Sequence, residues 1–206
     1  MPALKDRRAA LLDAARTLFF DKGYEATRME DIARAAGFSK RTVYLEFPSK
    51  GVLLATLCEE AASLLRDRLV PILGKRVDVH DAMRMIADAY LAFYREQRGH
   101  YRLLFRFANE DVLADVPPEQ KARLREVEAT CVGVLAHTIE RAKAQGDVRD
   151  DVDAWRYAVA VWGAQNGVLQ IHDHGLRTDL AGVPVEDLYW LTFDAFLRAA
   201  FVARPT

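Results

Sequence analysis

Apolar residues recur every three to four positions along almost all of this 206-residue chain, and no stretch alternates with the period of two that a half-buried strand requires. That periodicity restricts the fold to the all-α class, with about nine helices divided by glycine and proline. The first helix runs from about Lys5 to Lys22, with Leu11, Ala15, Leu18 and Phe19 on one stripe. Gly23 follows as its expected C-cap. Thr27-Arg28-Met29-Glu30 reads as a capping box in which the Thr27 hydroxyl accepts from the Glu30 amide. It opens a short second helix that ends at Gly37. Ser39 is the expected N-cap of a third helix, Lys40 to Phe47, which Pro48 stops. Ser49 caps a long fourth helix, Lys50 to Leu69. The fifth spans about His80 to Gln97, the sixth Tyr101 to Ala108 and the seventh Glu119 to Ala144. The eighth covers Val152 to His172, with Gly175 expected at its end, and the ninth covers Val185 to Val202.

Composition narrows the function classes. At 51% hydrophobic and 29% charged the chain can bury a core, so disorder is not expected. Cys58 and Cys131 are the only cysteines, too few for a disulfide scaffold or a cysteine-rich metal site. The longest apolar run, Ala158 to Ile171, falls short of the ~18 residues of a membrane span and contains Gln165 and Asn166. The N-terminus lacks an apolar leader, so a cytoplasmic protein with no membrane association is expected. Residues 1–50 hold ten lysines and arginines against seven carboxylates, whereas the rest is net acidic. A mildly basic head on an acidic body is compatible with a phosphate-facing N-terminus. No glycine-rich phosphate loop, His-Glu-x-x-His or Gly-x-Ser-x-Gly is present, so no catalytic residues are assigned and an enzyme is not expected. His172 and His174 point about 200° apart on a helix and cannot chelate together from one face. No metal and no cofactor are called. A helical scaffold protein is the remaining rival class, and it would show no salt-dependent DNA binding.

The segment Met29 to Tyr44 meets three demands of a helix-turn-helix. A small residue, Ala33, stands where the first helix touches the second. A glycine, Gly37, follows four positions later where the turn goes left-handed, and Val43, six further on, seats the second helix. Ile32, Ala36 and Phe38 complete a small core. The second helix then projects Lys40, Arg41, Thr42 and Tyr44 at its exposed end, the end such helices turn toward base edges. An ordinary helical hairpin shares the Ala-x-x-x-Gly spacing, but not the agreement of caps, small positions and polar face.

The stretch from Ala14 to Leu54 resembles the N-terminal domain of the tetracycline-repressor (TetR) family. The resemblance is carried by Ala14-Ala15, Leu18-Phe19, Gly23-Tyr24, Ala26-Thr27, Asp31-Ile32-Ala33, Ala35-Ala36-Gly37, Ser39, Thr42-Val43-Tyr44, Phe47-Pro48-Ser49-Lys50 and Leu53-Leu54. It implies a DNA-binding head over 1–47 and an effector-binding and dimerisation body over 48–206. It also implies a dimeric regulator of operator DNA, by family default a repressor. Thr27 and Arg28 would then meet phosphate, and Lys40, Arg41 and Thr42 would face the groove. Tyr44 would reach the backbone or a thymine methyl, and Lys50 would meet phosphate. Ser39 is either a cap or a phosphate contact. Arg41 is the candidate for base readout, because a guanidinium bonds guanine bidentately. Two positions depart from the family pattern. Leu45-Glu46 replaces a basic residue and an aromatic, and Gly51 replaces Glu, which should loosen the fourth helix by about 1 kcal/mol against Ala.

The eighth and ninth helices carry Gly163 and Gly167, three tryptophans at 155, 162 and 190, and Leu188, Leu191, Phe193, Phe196, Leu197 and Phe201. That is more apolar surface than one thin layer hides, so a homodimer through these helices is expected. The resemblance also implies an effector pocket in the body. Its candidate lining is Met83, Tyr90, Phe93, Tyr94, Leu103, Phe107, Cys131, Leu135, Trp162, Asn166 and Leu169, suited to a hydrophobic or aromatic small molecule.

Overall fold

The computed structural model describes residues 4–107, 111–173 and 182–202, without the side chains of residues 4–6, 106 and 107. The fold is all-α. Among the described residues there are nine α-helices: α1 (Leu4–Asp21), α2 (Met29–Ala35), α3 (Lys40–Glu46), α4 (Lys50–Leu69), α5 (Val79–Glu96), α6 (Arg98–Arg102), α7 (Pro118–Ala144), α8 (Ala154–Asp173) and α9 (Val185–Ala200). A 3₁₀ turn, Val70–Gly74, extends α4, and a π turn, Leu103–Phe107, continues α6. The expected sixth helix thus begins earlier, as α6, and continues as a π turn. The only β feature among the described residues is one antiparallel bridge, Val148 with Phe201. Gly175 and His174 lie outside the described residues. No described helix is long and apolar enough to cross a membrane.

Packing divides the chain into two compact units. The first comprises residues up to Leu65 together with Arg95–Glu128, and the second Arg66–Tyr94 with the chain from Ala129 onward. The packing boundaries fall inside α4, α5 and α7. In the first unit, Leu11, Phe19, Ile32, Val43, Phe47, Leu53, Leu54 and Leu57 are wholly buried. In the second, α5 turns Val79, Met83, Ile86, Tyr90, Phe93 and Tyr94 inward at the three-to-four spacing its sequence announces. Phe193, Tyr189 and Leu169 from α9 and α8 are buried in that same unit.

Gly51 has a different role from the one expected. A Cβ there would stand 2.1 Å from Asp115 Oδ1 and 2.9 Å from the Val112 carbonyl oxygen. The chain leading into α7 lies directly on the first turn of α4, and only glycine lets it come so close. The expected loosening is thus accompanied by a packing contact that the sequence did not reveal.

Candidate nucleic-acid interface and internal cavity

The helix-turn-helix is built as its spacing demands. Ile32, Ala33 and Val43 are buried, and Ala36 and Phe38 are half-buried. Gly37 takes φ +74°, a conformation that costs a residue with a Cβ and costs glycine little. The Phe38 amide closes the turn by donating to the Ala33 carbonyl at 2.8 Å. Ser39 is an N-cap: its hydroxyl oxygen accepts from the Thr42 amide at 3.2 Å and lies 2.9 Å from the Thr42 hydroxyl. At the far end of α3, the Arg8 guanidinium donates to the Glu46 carbonyl at 3.3 Å and lies 4.4 Å from the centre of the Phe47 ring. A cation at a helix C-terminus is favourable, so α1 anchors α3 from behind.

The face of α3 turned away from this core carries Lys40, Arg41, Tyr44 and Leu45, all exposed, with Thr42 half-exposed. Lys40 pairs with Glu30 of α2 and its ammonium stands 5.6 Å from the Tyr44 ring centre. The hydrogen bond to Glu30 holds the Lys40 pKa above the ordinary lysine value. Arg28 is exposed just before α2, and its backbone amide donates to Asp31 Oδ2 at 3.3 Å. Leu45, which departs from the family pattern, is 74% exposed and Tyr44 41%.

Two expected phosphate ligands sit elsewhere. Thr27 does not form the expected capping box. It is 1% exposed and donates its hydroxyl to the Gly23 carbonyl at 2.8 Å, with the Leu18 carbonyl at 3.3 Å. α2 is capped instead by Asp31, whose carboxylate accepts from the amide of Arg28, one residue later in the chain than Thr27. Thr-x-x-Glu is a capping sequence, but here the Thr27 hydroxyl is buried and closes the turn after α1. The Lys50 ammonium is likewise engaged within the protein. It donates to the carbonyls of Tyr24 at 2.7 Å and Thr27 at 3.0 Å and lies 4.1 Å from the Tyr24 ring centre. Burial pulls its pKa below the ordinary lysine value. It clips α4 to the turn between α1 and α2.

Comparison with known proteins agrees with this geometry. Residues 11–57 match the model of bacterial regulatory proteins of the tetR family, and residues 83–196 match a tetracyclin repressor-like C-terminal domain. The chain belongs to the TetR family. The transcriptional activator FasR of Mycolicibacterium smegmatis is 28% identical over 162 residues, covering 74% of this chain and 72% of FasR. The repressor KstR2 of the same organism is 27% identical over 152 residues, covering 71% and 70%. The crystal structure of the TetR family regulator PfmR from Thermus thermophilus superposes with a TM-score of 0.71 at 25% identity, covering 91% of this chain and 97% of PfmR. TetR regulators bind operator DNA through a helix-turn-helix, act as dimers and bind small molecules.

The effector lining expected for a TetR regulator can be compared with the cavity of the second unit. That cavity is small, with a volume of about 50 Å³. It is lined by Leu69, Ile86, Ala87, Tyr90, Cys131, Val132, Leu135, Val161, Trp162, Gln165, Tyr189 and Phe193. Of the expected residues, Tyr90, Cys131, Leu135 and Trp162 are there. Met83, Phe93 and Leu169 are wholly buried and do not line it. Tyr94 is also off the cavity, its hydroxyl 2.9 Å from His172 Nδ1. Asn166 stands behind it, accepting from the Tyr90 hydroxyl at 2.7 Å and donating to the Trp162 carbonyl at 2.9 Å. Leu103 belongs to the first unit, where it is buried, so it is no part of this lining. The side chain of Phe107 lies outside what the structure describes. Gln165, Tyr189 and Phe193 were not expected. Their signal was present: Ala158, Val161, Gln165 and Leu169 form the buried stripe of α8, and Gln165 is a polar residue on it.

Proposed function

We propose that this TetR regulator is a homodimeric repressor whose heads read operator half-sites through α3 and whose hold on DNA is released by a small apolar ligand. The outward-facing cluster of Arg28, Lys40, Arg41, Thr42 and Tyr44 on a firmly seated α3 carries the reading. Arg41 has no partner among the described residues, which leaves its guanidinium available for a guanine edge. Thr27, Ser39 and Lys50 act one step back, holding the turn and the cap that aim these side chains. Residues 1–47 serve as the reading head and 48–206 as the effector and dimerisation body.

An unpartnered stripe on α8 supports dimerisation through α8 and α9. Trp155, Val159, Gly163, Gly167 and Ile171 fall four residues apart on one face, and all five are exposed. A Cβ at Gly163 or Gly167 would meet nothing within 4 Å, so a second helix can approach closely there. Leu191 of α9 is 62% exposed. A second copy of the same surfaces would cover this apolar area, as isologous dimers do. Release would follow if ligand favours a body conformation in which α4, joined to the head by Lys50, sets the two heads apart from the ~34–36 Å of successive major grooves.

Selection of operators from random duplex DNA with the purified protein tests the proposal. A palindromic consensus is expected, with affinity falling steeply as salt rises. A monomer on gel filtration at micromolar concentration, or binding indifferent to salt, overturns it. Metabolite extracts that never weaken the complex remove the effector half alone.

A further inference from the structure

Gln165 is 3% exposed on the wall of the cavity, and its two amide atoms have unequal fates. Its Nε2 donates to the Tyr189 carbonyl at 3.3 Å. A backbone carbonyl can only accept, so that bond fixes which way round the amide lies. The other end, Oε1, is buried with no partner among the described residues. The neighbouring hydroxyls do not supply one. Tyr90 gives its proton to Asn166 Oδ1 at 2.7 Å, and Tyr189 gives its own to the Ala87 carbonyl at 2.8 Å. Burial in the same wall lifts the Tyr189 pKa well above the ordinary phenol value, so this proton stays in place. The rest of the lining is apolar or aromatic, and no charged side chain is among the lining residues.

A buried acceptor left unmet is costly, and buried polar groups in folded proteins nearly always have a partner. We propose that the cavity takes a slender, uncharged apolar molecule carrying one hydroxyl, a phenol or an alcohol, whose O–H donates to Gln165 Oε1. The small room of the cavity, about 50 Å³, limits the guest to a single ring or short chain, seated as the flexible lining side chains give way. A carboxylate is rejected, because it would lose its hydration against an acceptor and an uncharged wall. An ether of the same shape fills the space and leaves the acceptor unmet. The inference rests on the reading of this cavity as the effector site.

Three probes of one skeleton separate these cases: 4-propylphenol, 4-propylanisole and 4-propylbenzoate, titrated calorimetrically into the full-length protein. The phenol is expected to bind about tenfold or more tighter than the anisole, the difference a buried hydrogen bond makes, and the benzoate not detectably. In Gln165→Leu, and in Gln165→Met as a second variant of similar volume, phenol and anisole should bind within about twofold of each other. Leu135→Trp, which fills the cavity, should abolish both. Anisole or benzoate binding the wild-type protein as tightly as the phenol overturns the inference, and so does the absence of binding by all three. The effector reading is separately at stake. If the phenol binds through Gln165 and saturating phenol leaves operator affinity unchanged, the site stands and its regulatory role falls.

Discussion

Lys50→Met separates a clip from a phosphate anchor. Methionine keeps an apolar stem beside Tyr24 and removes the charge and all three donors. The wild-type ammonium holds the Tyr24 and Thr27 carbonyls at 2.7 and 3.0 Å. A hydrogen bond from a charged donor contributes about 1.5–3 kcal/mol. Lys50 is half-buried, and burial depresses its pKa, so part of that gain is spent on desolvation. A net loss of about 2 kcal/mol for the pair is reasonable on those terms. At roughly 2–4 °C per kcal/mol for a chain of this size, Tm should fall by about 4–8 °C. Calorimetry at pH 7 measures that fall, and operator titrations at several salt concentrations measure phosphate contact. Loss of one phosphate contact would flatten the salt slope by about 0.9. A clip lowers Tm and leaves the slope of the folded protein unchanged. An unchanged Tm with a slope flattened by about two per dimer would refute the clip.

Arg41→Ala should relax preference at one base position per half-site, costing about 1–3 kcal/mol there, as read by repeating the operator selection. Gly51→Ala gains about 1 kcal/mol of helix propensity but drives a methyl against the Val112 carbonyl, an overpacking that costs about 1–3 kcal/mol. Its Tm should therefore fall by a few degrees, and a rise would show that the close approach is wrong. Val159→Arg, in the middle of the exposed α8 stripe, should shift gel filtration from dimer to monomer while leaving the helical circular dichroism intact. Burial raises the Glu128 carboxyl pKa against the opposing pull of Arg125. The fold therefore holds that proton more tightly than the unfolded chain, so ionisation costs stability once pH rises above the unfolded carboxyl's value, about 4.3. Glu128→Gln should raise Tm at pH 7, and that gain should vanish as pH falls below about 4; a gain that persists in acid contradicts the burial argument.

The DNA-reading motif was legible because its demands are local. Ala33, Gly37 and Val43 lie within one turn and two short helices, and backbone sterics alone dictate a small residue, a left-handed turn and a seated apolar side chain. The cap at Ser39 is local in the same way. Thr27 and Lys50 were harder. Thr27 bonds the nearby Gly23 carbonyl, but its Thr-x-x-Glu sequence also suits a helix cap, so local pattern leaves two roles open. The partners of Lys50 lie on another segment, 26 residues away for Tyr24, and a lysine before a long helix looks the same whether it faces phosphate or a carbonyl. On α8 the sequence pointed to Asn166, while its neighbour Gln165 holds the place on the wall.

The chain's own order of residues decided that it would be helical, where its turns would fall and which side of each helix would be apolar, because these depend on neighbours within about four positions. Only the folded molecule decided what each apolar side meets. It brought Leu69, Cys131, Gln165 and Phe193 around one cavity and laid Val112 and Asp115 on Gly51. Those encounters join segments far apart along the chain, and they are set by the packing of whole helices against one another, which no short-range pattern encodes.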